Sequence, residues 1–137
     1  MISFLATDSK NTKKNIYVFT DVDCGYCRKF HKEVVRLNNK GINVYYLAFP
    51  RAGQEGSTYE KMVSVWCSSN RNEALSVAKK GRKIPVKKCN NPISGHFKLG
   101  LEIELKGTPA VFSDSGTELG GFIEAKDIER MLLQEKS

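Results

Sequence analysis

The sequence lacks a long apolar run. No stretch of its 137 residues approaches the roughly 18 consecutive apolar residues that a membrane-spanning helix needs. The first eight residues contain no basic side chain and only a short apolar stretch, which does not fit a secretory signal peptide. We therefore expect either a cytosolic chain or a mature chain whose leader has been removed.

The chain also lacks internal repeats, low-complexity tracts and any linker long enough to separate two domains. Its 137 residues fit one domain, and 40% hydrophobic residues suffice for a core. Basic residues outnumber acidic ones, 22 to 15, and no acidic residue lies between Lys79 and Lys88. No aromatic side chain interrupts this basic stretch, so we expect a solvated helix end and loop and no nucleic-acid partner.

The apolar pattern predicts strands and helices in alternation. Residues 16–20 and 43–49 are rich in β-branched and aromatic side chains, as in buried strands. Between them, apolar residues recur every three or four positions from Cys24 to a stop at Gly41, which predicts one amphipathic helix joining two parallel strands. Residues 1–15 are expected to form an arm or short edge strand followed by a loop.

Residues 50–106 are predicted to form a helical insertion of at most four pieces. Ser57 and Glu60 have the spacing of a capping box at the start of its first helix. Further helices are predicted over 72–80 and 92–105, separated by an irregular segment.

The remaining residues predict a hairpin and a closing helix. Strands are expected over 110–113 and 117–120 around a turn, followed by an amphipathic helix over 125–135. The whole order is β-α-β, helical insertion, β-β-α. It predicts an α/β domain over residues 16–137 with an arm at 1–15.

Cys24 and Cys27 form a C-x-x-C pair where the first long strand turns into the first helix. Thiol–disulfide exchange needs a thiolate nucleophile and a second thiol close enough to displace the bound substrate. The unpaired N–H groups and the dipole at a helix start favour a thiolate, and pKa values in such motifs fall to about 3.5–7.5 from about 8.5. We therefore predict that Cys24 is the nucleophile and Cys27 the buried resolving thiol.

A zinc site is the main alternative for this pair. It would need a second close cysteine pair or a Cys/His pair, but His31 and His96 are isolated, so we expect no metal and no other cofactor. His31 lies four residues after Cys27 and is predicted either to tune the dithiol or to be a spectator. Asp21 and Asp23 are predicted either to supply a buried proton acceptor for the resolving thiol or to cap the helix after the turn.

Four cysteines allow three pairings. With Cys24 and Cys27 assigned to the redox pair, Cys67 and Cys89 are the natural second pair. A disulfide between them would close a loop of about 23 residues, stabilise the fold by about 3.4 kcal/mol and indicate an oxidising compartment. Two free structural thiols in a cytosolic protein are the alternative.

A C-x-x-C pair beside a β-α-β unit is typical of thioredoxin-like folds. Thr108-Pro109 stands at the start of a strand after the insertion, where these folds place a cis-proline against the dithiol. The Gly25-Tyr26 dipeptide between the cysteines is similar to that of DsbC, whereas DsbG has proline at the first of these positions. Four segments together resemble the catalytic domain of the DsbC/DsbG family of bacterial protein disulfide isomerases, namely residues 18–31, 46–51, 65–67 and 107–111.

The resemblance implies a thioredoxin-like α/β fold with a helical insertion and a periplasmic location. It implies isomerisation of mispaired disulfides in unfolded or misoxidised proteins, and reduction of the dithiol by a membrane reductase of the DsbD type. The roles that it assigns are nucleophile for Cys24, resolving thiol for Cys27, peptide-facing loop for Thr108 and cis-Pro109, and structural disulfide for Cys67–Cys89.

Members of that family carry an N-terminal dimerisation domain, for which we expect no counterpart within these 137 residues, and residues 1–15 are expected to correspond at most to its trailing linker. We expect either a shortened form of such a protein or a natural single-domain relative, with a homodimer only where the dimerisation domain is present. Without that domain, the expected activity is that of a monomeric disulfide reductase or oxidase. A chaperone-like module that binds peptides near Tyr26 and Thr108 is the remaining alternative.

Overall fold

The computed structural model describes residues 1–6 and 14–135. These residues form five strands and six helices in the order β1 (Ile2–Phe4), β2 (Lys14–Thr20), α1 (Gly25–His31), α2 (Val34–Asn39), β3 (Ile42–Ala48), α3 (Ser57–Trp66), α4 (Arg71–Lys79), α5 (Ile93–Glu102), β4 (Ala110–Ser113), β5 (Glu118–Gly120) and α6 (Ala125–Gln134). The order contains the predicted β-α-β unit, helical insertion and β-β-α unit. None of these helices has the length and apolar character needed to cross a membrane.

The five strands form one sheet in the order β1-β3-β2-β4-β5. β2 and β3 pair in parallel over their full length, as predicted for strands joined by a helical crossover. β1 pairs antiparallel with β3, so the short apolar start of the chain forms an edge strand. β4 pairs antiparallel with β2, and its first residue, Ala110, pairs with Phe19. The start of β4 therefore lies at the end of β2 that leads to Cys24.

Alternate residues of the central strands point to opposite faces of the sheet. On one face, residues such as Val18 and Val44 join a large core with the buried sides of α1, α2, α3, α4 and α6. On the other face, Phe19 packs with Phe49 and with Phe97 of α5 in a smaller aromatic cluster. The helical insertion contains three helices, α3 to α5, and contributes to both faces.

The single helix predicted between the two parallel strands is wrong, because the chain forms α1 and α2 with a break between them. At the break, the N–H groups of Lys32 and Glu33 donate to carbonyl oxygens three residues back. The Glu33 carboxylate turns inward and accepts the Ala125 N–H at the start of α6 (2.9 Å). The helix is thus interrupted where a buried carboxylate caps another helix.

Two helix ends also differ from the predictions. Ser57 is the first residue of α3, and the cap position belongs to Gly56, which has a φ of 121° and no side chain to accept a hydrogen bond. The predicted capping box with Glu60 is therefore wrong. α5 ends at Glu102, before the predicted residue 105, and Glu104 follows in the left-handed conformation with a φ of 57°, which stops the helix.

Candidate active site

The two cysteines of the C-x-x-C motif lie where β2 turns into α1. Cys24 is the N-cap residue of α1, and its backbone N–H donates to the Asp21 carbonyl oxygen (3.1 Å). The Cys27 N–H donates to the Cys24 sulfur (3.3 Å). Both thiols are free and both residues are buried, Cys24 being 2% and Cys27 0% exposed. Across the described ranges, no group of three or more His, Cys, Asp or Glu side chains is placed to hold a metal ion.

The environments of Cys24 and Cys27 shift the pKa values of their thiols in opposite directions. Burial raises the pKa of Cys24, but hydrogen bonding with Thr108 and Cys27 outweighs this effect, so the pKa is lowered overall. The nearby Arg51 guanidinium acts in the same direction. Burial dominates at Cys27 and raises the pKa of its thiol, although the charge of Lys79 opposes it. Cys24 therefore loses its proton more readily than Cys27.

A cis peptide bond joins Thr108 to Pro109 at the start of β4. The Cys24 thiol donates to the Thr108 carbonyl oxygen (3.3 Å), so this loop lies directly against the first thiol. Among the described residues, the buried Thr108 hydroxyl has no hydrogen-bond partner of standard geometry. It lies close enough to the sulfur atoms of Cys24 and Cys27 to lower the pKa of both, as a donor to an anion does.

The Asp21 carboxylate is buried and organises the turn before Cys24. One oxygen accepts the Asp23 N–H (2.7 Å), and the other accepts the backbone N–H and the Nε–H of Arg51 (2.9 and 3.2 Å). A backbone hydrogen bond with Asp21 lowers the pKa of Cys27. Asp21 thus holds the turn before Cys24 and ties it to Arg51.

Asp23 links the dithiol turn to the helical insertion. Its carboxylate accepts hydrogen bonds from the Thr58 hydroxyl (2.6 Å) and the Lys61 ammonium group (3.0 and 3.1 Å), both on α3. Arg28 of α1 lies 3.4 Å from the same carboxylate. Burial raises the pKa of Asp23, but these three partners outweigh burial and lower it. The insertion thereby helps to hold the start of α1.

His31 is held by a neutral group at each nitrogen of its ring. Its Nδ1 is 2.8 Å from the Tyr46 hydroxyl and its Nε2 is 2.9 Å from the Ser76 hydroxyl. Burial lowers the pKa of His31 to about 3, and the charges of Lys79 and Lys80 act in the same direction. The neutral imidazole is engaged at both nitrogens and joins α1 to β3 and α4.

The basic stretch is expected in solvent, and this prediction is wrong for its first residue, Lys79, which is 4% exposed. The Lys79 ammonium group donates to the Thr20 hydroxyl (2.6 Å) and to the Cys27 carbonyl oxygen (3.4 Å). It also lies 4.3 Å from the centroid of the Tyr46 ring. A sequence signal for this burial exists, because Lys79 follows the buried Leu75 by four residues and so shares its side of α4.

Gly25 and Tyr26, between the two cysteines, are exposed. Tyr26 is 63% exposed, and the centroid of its ring lies 6.3 Å from that of Phe122. The Lys29 ammonium group is 4.7 Å from the Phe122 ring centroid. An aromatic surface with one positive charge therefore borders the dithiol.

Cys67 and Cys89 lie outside the dithiol site and are joined by a disulfide, with their Cα atoms 5.7 Å apart. The bond ties the end of α3 to the irregular segment that precedes α5. A hydrogen bond from the Lys87 N–H to the Ser64 hydroxyl (3.1 Å) holds the same segment to α3. This connection keeps a basic loop without secondary structure in one place.

The chain is similar to known proteins over nearly its whole length. Residues 5–136 match the family described as a thioredoxin-like domain. The chain is 39% identical over 132 residues to the thiol:disulfide interchange protein DsbC of Dickeya dadantii, and 36% identical over 132 residues to that of Escherichia coli strain K12. These matches cover 96% of this chain but 54% and 55% of the relatives, so the chain spans about half of their length.

The fold also has a counterpart among solved structures. A disulfide interchange protein from Neisseria gonorrhoeae matches with a TM-score of 0.82 and 24% identity, over 99% of this chain and 95% of that chain. Together with the family match, this similarity confirms the predicted thioredoxin-like α/β fold. The identity to the DsbC proteins confirms the predicted resemblance to their catalytic domain.

Proposed function

We propose that this chain, which belongs to the family of thioredoxin-like domains, is a thiol–disulfide oxidoreductase that acts on protein disulfides through Cys24 and Cys27. The observation that carries the proposal is the position of the Cys24 sulfur. This sulfur accepts a hydrogen bond from the Cys27 N–H at the start of α1, and it lies against Thr108 in the cis-proline loop. Hydrogen-bond donors around a thiol favour its thiolate, which is the nucleophile in disulfide exchange.

In the first proposed step, the Cys24 thiolate attacks one sulfur of a substrate disulfide. A bond forms between Cys24 and that sulfur, the substrate S–S bond breaks, and the second substrate sulfur leaves as a thiolate that takes a proton from water. The Cys27 N–H and the Thr108 hydroxyl are donors available to the Cys24 sulfur while it is anionic. The product is a mixed disulfide.

In the second step, Cys27 loses its proton to water and attacks Cys24 within the mixed disulfide. The Cys24–Cys27 bond forms, the bond to the substrate breaks, and the substrate thiolate leaves and is protonated, so two electrons pass from the dithiol to the substrate. If a second substrate thiolate first attacks the substrate sulfur of the mixed disulfide, a new substrate disulfide forms, the bond to Cys24 breaks and Cys24 leaves as a thiolate, so the dithiol stays reduced. Burial raises the pKa of Cys27, which slows the first route and allows the second to compete.

The proposed substrates are unfolded or misoxidised proteins of the periplasm, and a membrane reductase of the DsbD type would keep the dithiol reduced. Similarity to proteins named thiol:disulfide interchange protein DsbC supports this assignment. Tyr26 and Phe122 offer an apolar surface to an unfolded chain next to the reactive sulfur. Thr108, which lies against the Cys24 sulfur, and Pro109 are proposed to contact the substrate as well.

In this proposal, isomerisation requires two dithiols held in one assembly by an N-terminal dimerisation domain, and the chain alone acts as a reductase or oxidase. The test measures how fast a protein with scrambled disulfides regains its native pairing. One sample contains the chain alone, and the other contains the same chain with a dimerisation domain fused ahead of Met1. We expect faster recovery of native pairing with the fused form. Equal rates for the two forms would contradict the requirement for two dithiols.

Trapping of mixed disulfides tests the proposed roles of the two cysteines. Cys27→Ala keeps the Cys24 thiolate but has no resolving thiol, so mixed disulfides with substrate proteins should accumulate. Cys24→Ala keeps only Cys27, whose pKa is raised by burial, and should accumulate none. Alkylation of the reduced protein at rising pH should give a Cys24 pKa below the value of about 8.5 of an ordinary thiol. If mixed disulfides accumulated in Cys24→Ala and not in Cys27→Ala, the roles of nucleophile and resolving thiol would have to be exchanged.

A further inference from the structure

A buried lysine next to the dithiol has no role in the exchange steps above. Lys79 on α4 is 4% exposed, and lysine is almost never this buried unless it is paired. In the parts of the chain that the structure describes, its ammonium group forms no salt bridge with a carboxylate. Its contacts are the Thr20 hydroxyl, the Cys27 carbonyl oxygen and the Tyr46 ring.

These contacts solvate the ammonium group of Lys79 without supplying a negative charge. The nearby Asp21 carboxylate is already paired with Arg51 (3.2 Å). The titratable and charged groups that face Lys79 are Cys24, Cys27, Arg28, His31, Asp21 and Tyr46. Of these, only the two thiols gain and lose a negative charge during disulfide exchange.

We propose that Lys79 is a positioning residue for the exchange reaction, an inference that rests on the proposed function. Its ammonium group holds the Cys27 main chain and stabilises the negative charge that Cys27 acquires when it attacks the mixed disulfide. The pKa shifts agree in sign: burial lowers the pKa of Lys79 to about 8, the charges of Cys27 and Cys24 oppose this, and Lys79 in turn lowers the pKa of Cys27. At neutral pH, Lys79 therefore still carries its proton.

Replacing Lys79 with methionine keeps an unbranched apolar side chain and removes the charge. The reduced protein is mixed with oxidised glutathione and quenched with acid, and mass spectrometry follows first the mixed disulfide at Cys24 and then the Cys24–Cys27 disulfide. We expect Lys79→Met to slow the second step severalfold, because the Cys27 thiolate loses a favourable charge and the higher nucleophilicity of a thiolate of higher pKa offsets only part of that loss. The equilibrium with glutathione should shift toward the protein disulfide, because the Cys24 thiolate of the reduced form loses the favourable charge of Lys79.

Lys80→Met is the matched control, since it removes the same charge from the exposed neighbouring residue. It should leave both the second step and the glutathione equilibrium as in the wild-type chain. Equal slowing by Lys79→Met and Lys80→Met would mean that net charge, and not the buried ammonium group, sets the rate, and would overturn the inference.

A second measurement needs no variant. Coupling between two sites is reciprocal, so a thiolate that is stabilised by Lys79 must raise the pKa of Lys79. NMR titration of the Lys79 side chain, in the reduced protein and in the Cys24–Cys27 disulfide form, should show that its affinity for the proton falls severalfold on oxidation. An identical Lys79 pKa in both redox states would overturn the inference. Because this measurement uses the wild-type chain, it remains decisive even if Lys79→Met does not fold.

Failure of this inference is distinguishable from failure of the proposed function. A wild-type chain that forms no mixed disulfide with oxidised glutathione would overturn both. Normal exchange in the wild type, with an unchanged second step in Lys79→Met, would overturn the role of Lys79 alone.

Discussion

α5 contains two glycines in opposite surroundings, and replacing each with alanine should change the stability of the fold in opposite directions. A Cβ atom at Gly95 would meet no atom within 4 Å, whereas one at Gly100 would lie 2.4 and 2.5 Å from two carbons of the Phe49 ring. Phe49 is not free to move aside, because it stacks on Phe97 with ring centroids 5.0 Å apart and meets Phe19 edge-on.

The expected magnitude combines two effects. Replacing a helical glycine with alanine stabilises a helix by about 0.5–1 kcal/mol, and this gain alone is expected for Gly95→Ala. At Gly100, the added methyl group overpacks the aromatic cluster between α5 and the sheet, which destabilises by about 1–3 kcal/mol. The helix contribution is common to both variants, so Gly100→Ala should be less stable than Gly95→Ala by about 1–3 kcal/mol.

Urea unfolding measures this difference, with the Cys67–Cys89 disulfide intact and with the slope m equal in the two variants. The comparison bears on the site because the Phe49 N–H donates to the Thr20 carbonyl oxygen (2.8 Å) at the end of β2. Equal stability of Gly95→Ala and Gly100→Ala would refute the close approach of α5 to Phe49.

Three further predictions concern the disulfide, the buried histidine and the arginine beside the dithiol. Replacing both Cys67 and Cys89 with alanine should lower the free energy of unfolding by about 3.4 kcal/mol through loop entropy and leave alkylation of Cys24 unchanged. The pKa of His31 falls from 6.5 to about 3 on folding, so its contribution to stability is present above pH 6.5 and is lost as the pH falls toward 3. His31→Gln should therefore destabilise the protein less near about pH 5 than near about pH 7. Arg51→Met removes a charge that lowers the pKa of Cys24, so alkylation of Cys24 at neutral pH should slow about twofold.

Urea unfolding checks the first two of these. An unchanged unfolding midpoint without the disulfide would contradict the first, and a pH-independent difference between wild type and His31→Gln would contradict the second. Arg130→Met, which removes a charge from the exposed side of α6, is the control for Arg51→Met. Equal alkylation rates in these two variants would show that Arg51 does not tune Cys24.

Local patterns were sufficient to predict most of the strands and helices. The predicted strands 16–20, 43–49 and 110–113 lie within two residues of β2, β3 and β4, because apolar runs and turn residues act through close neighbours in the chain. The break between α1 and α2 could not be predicted in this way. It depends on Glu33 reaching Ala125, 92 positions away.

The charges around the dithiol also escaped prediction. Arg51 follows a strand, and nothing in its immediate sequence connects it to Asp21, 30 positions earlier. Lys79 stands at the beginning of a basic stretch, and its contact with the Cys27 carbonyl oxygen spans 52 positions. The place of Lys79 on the buried side of α4 indicates burial, but no local pattern connects either basic residue to the dithiol that it approaches.

By itself, the sequence determined the C-x-x-C spacing, its place at the start of a helix and the choice of Cys24 as the expected nucleophile, because these features depend on near neighbours. Only the tertiary structure decided the surroundings that separate the pKa values of Cys24 and Cys27. Those surroundings combine burial of both sulfur atoms, the hydrogen bonds around Cys24 and the charges of Arg51 and Lys79. Burial and electrostatic interactions depend on distances in space, which the order of residues does not specify.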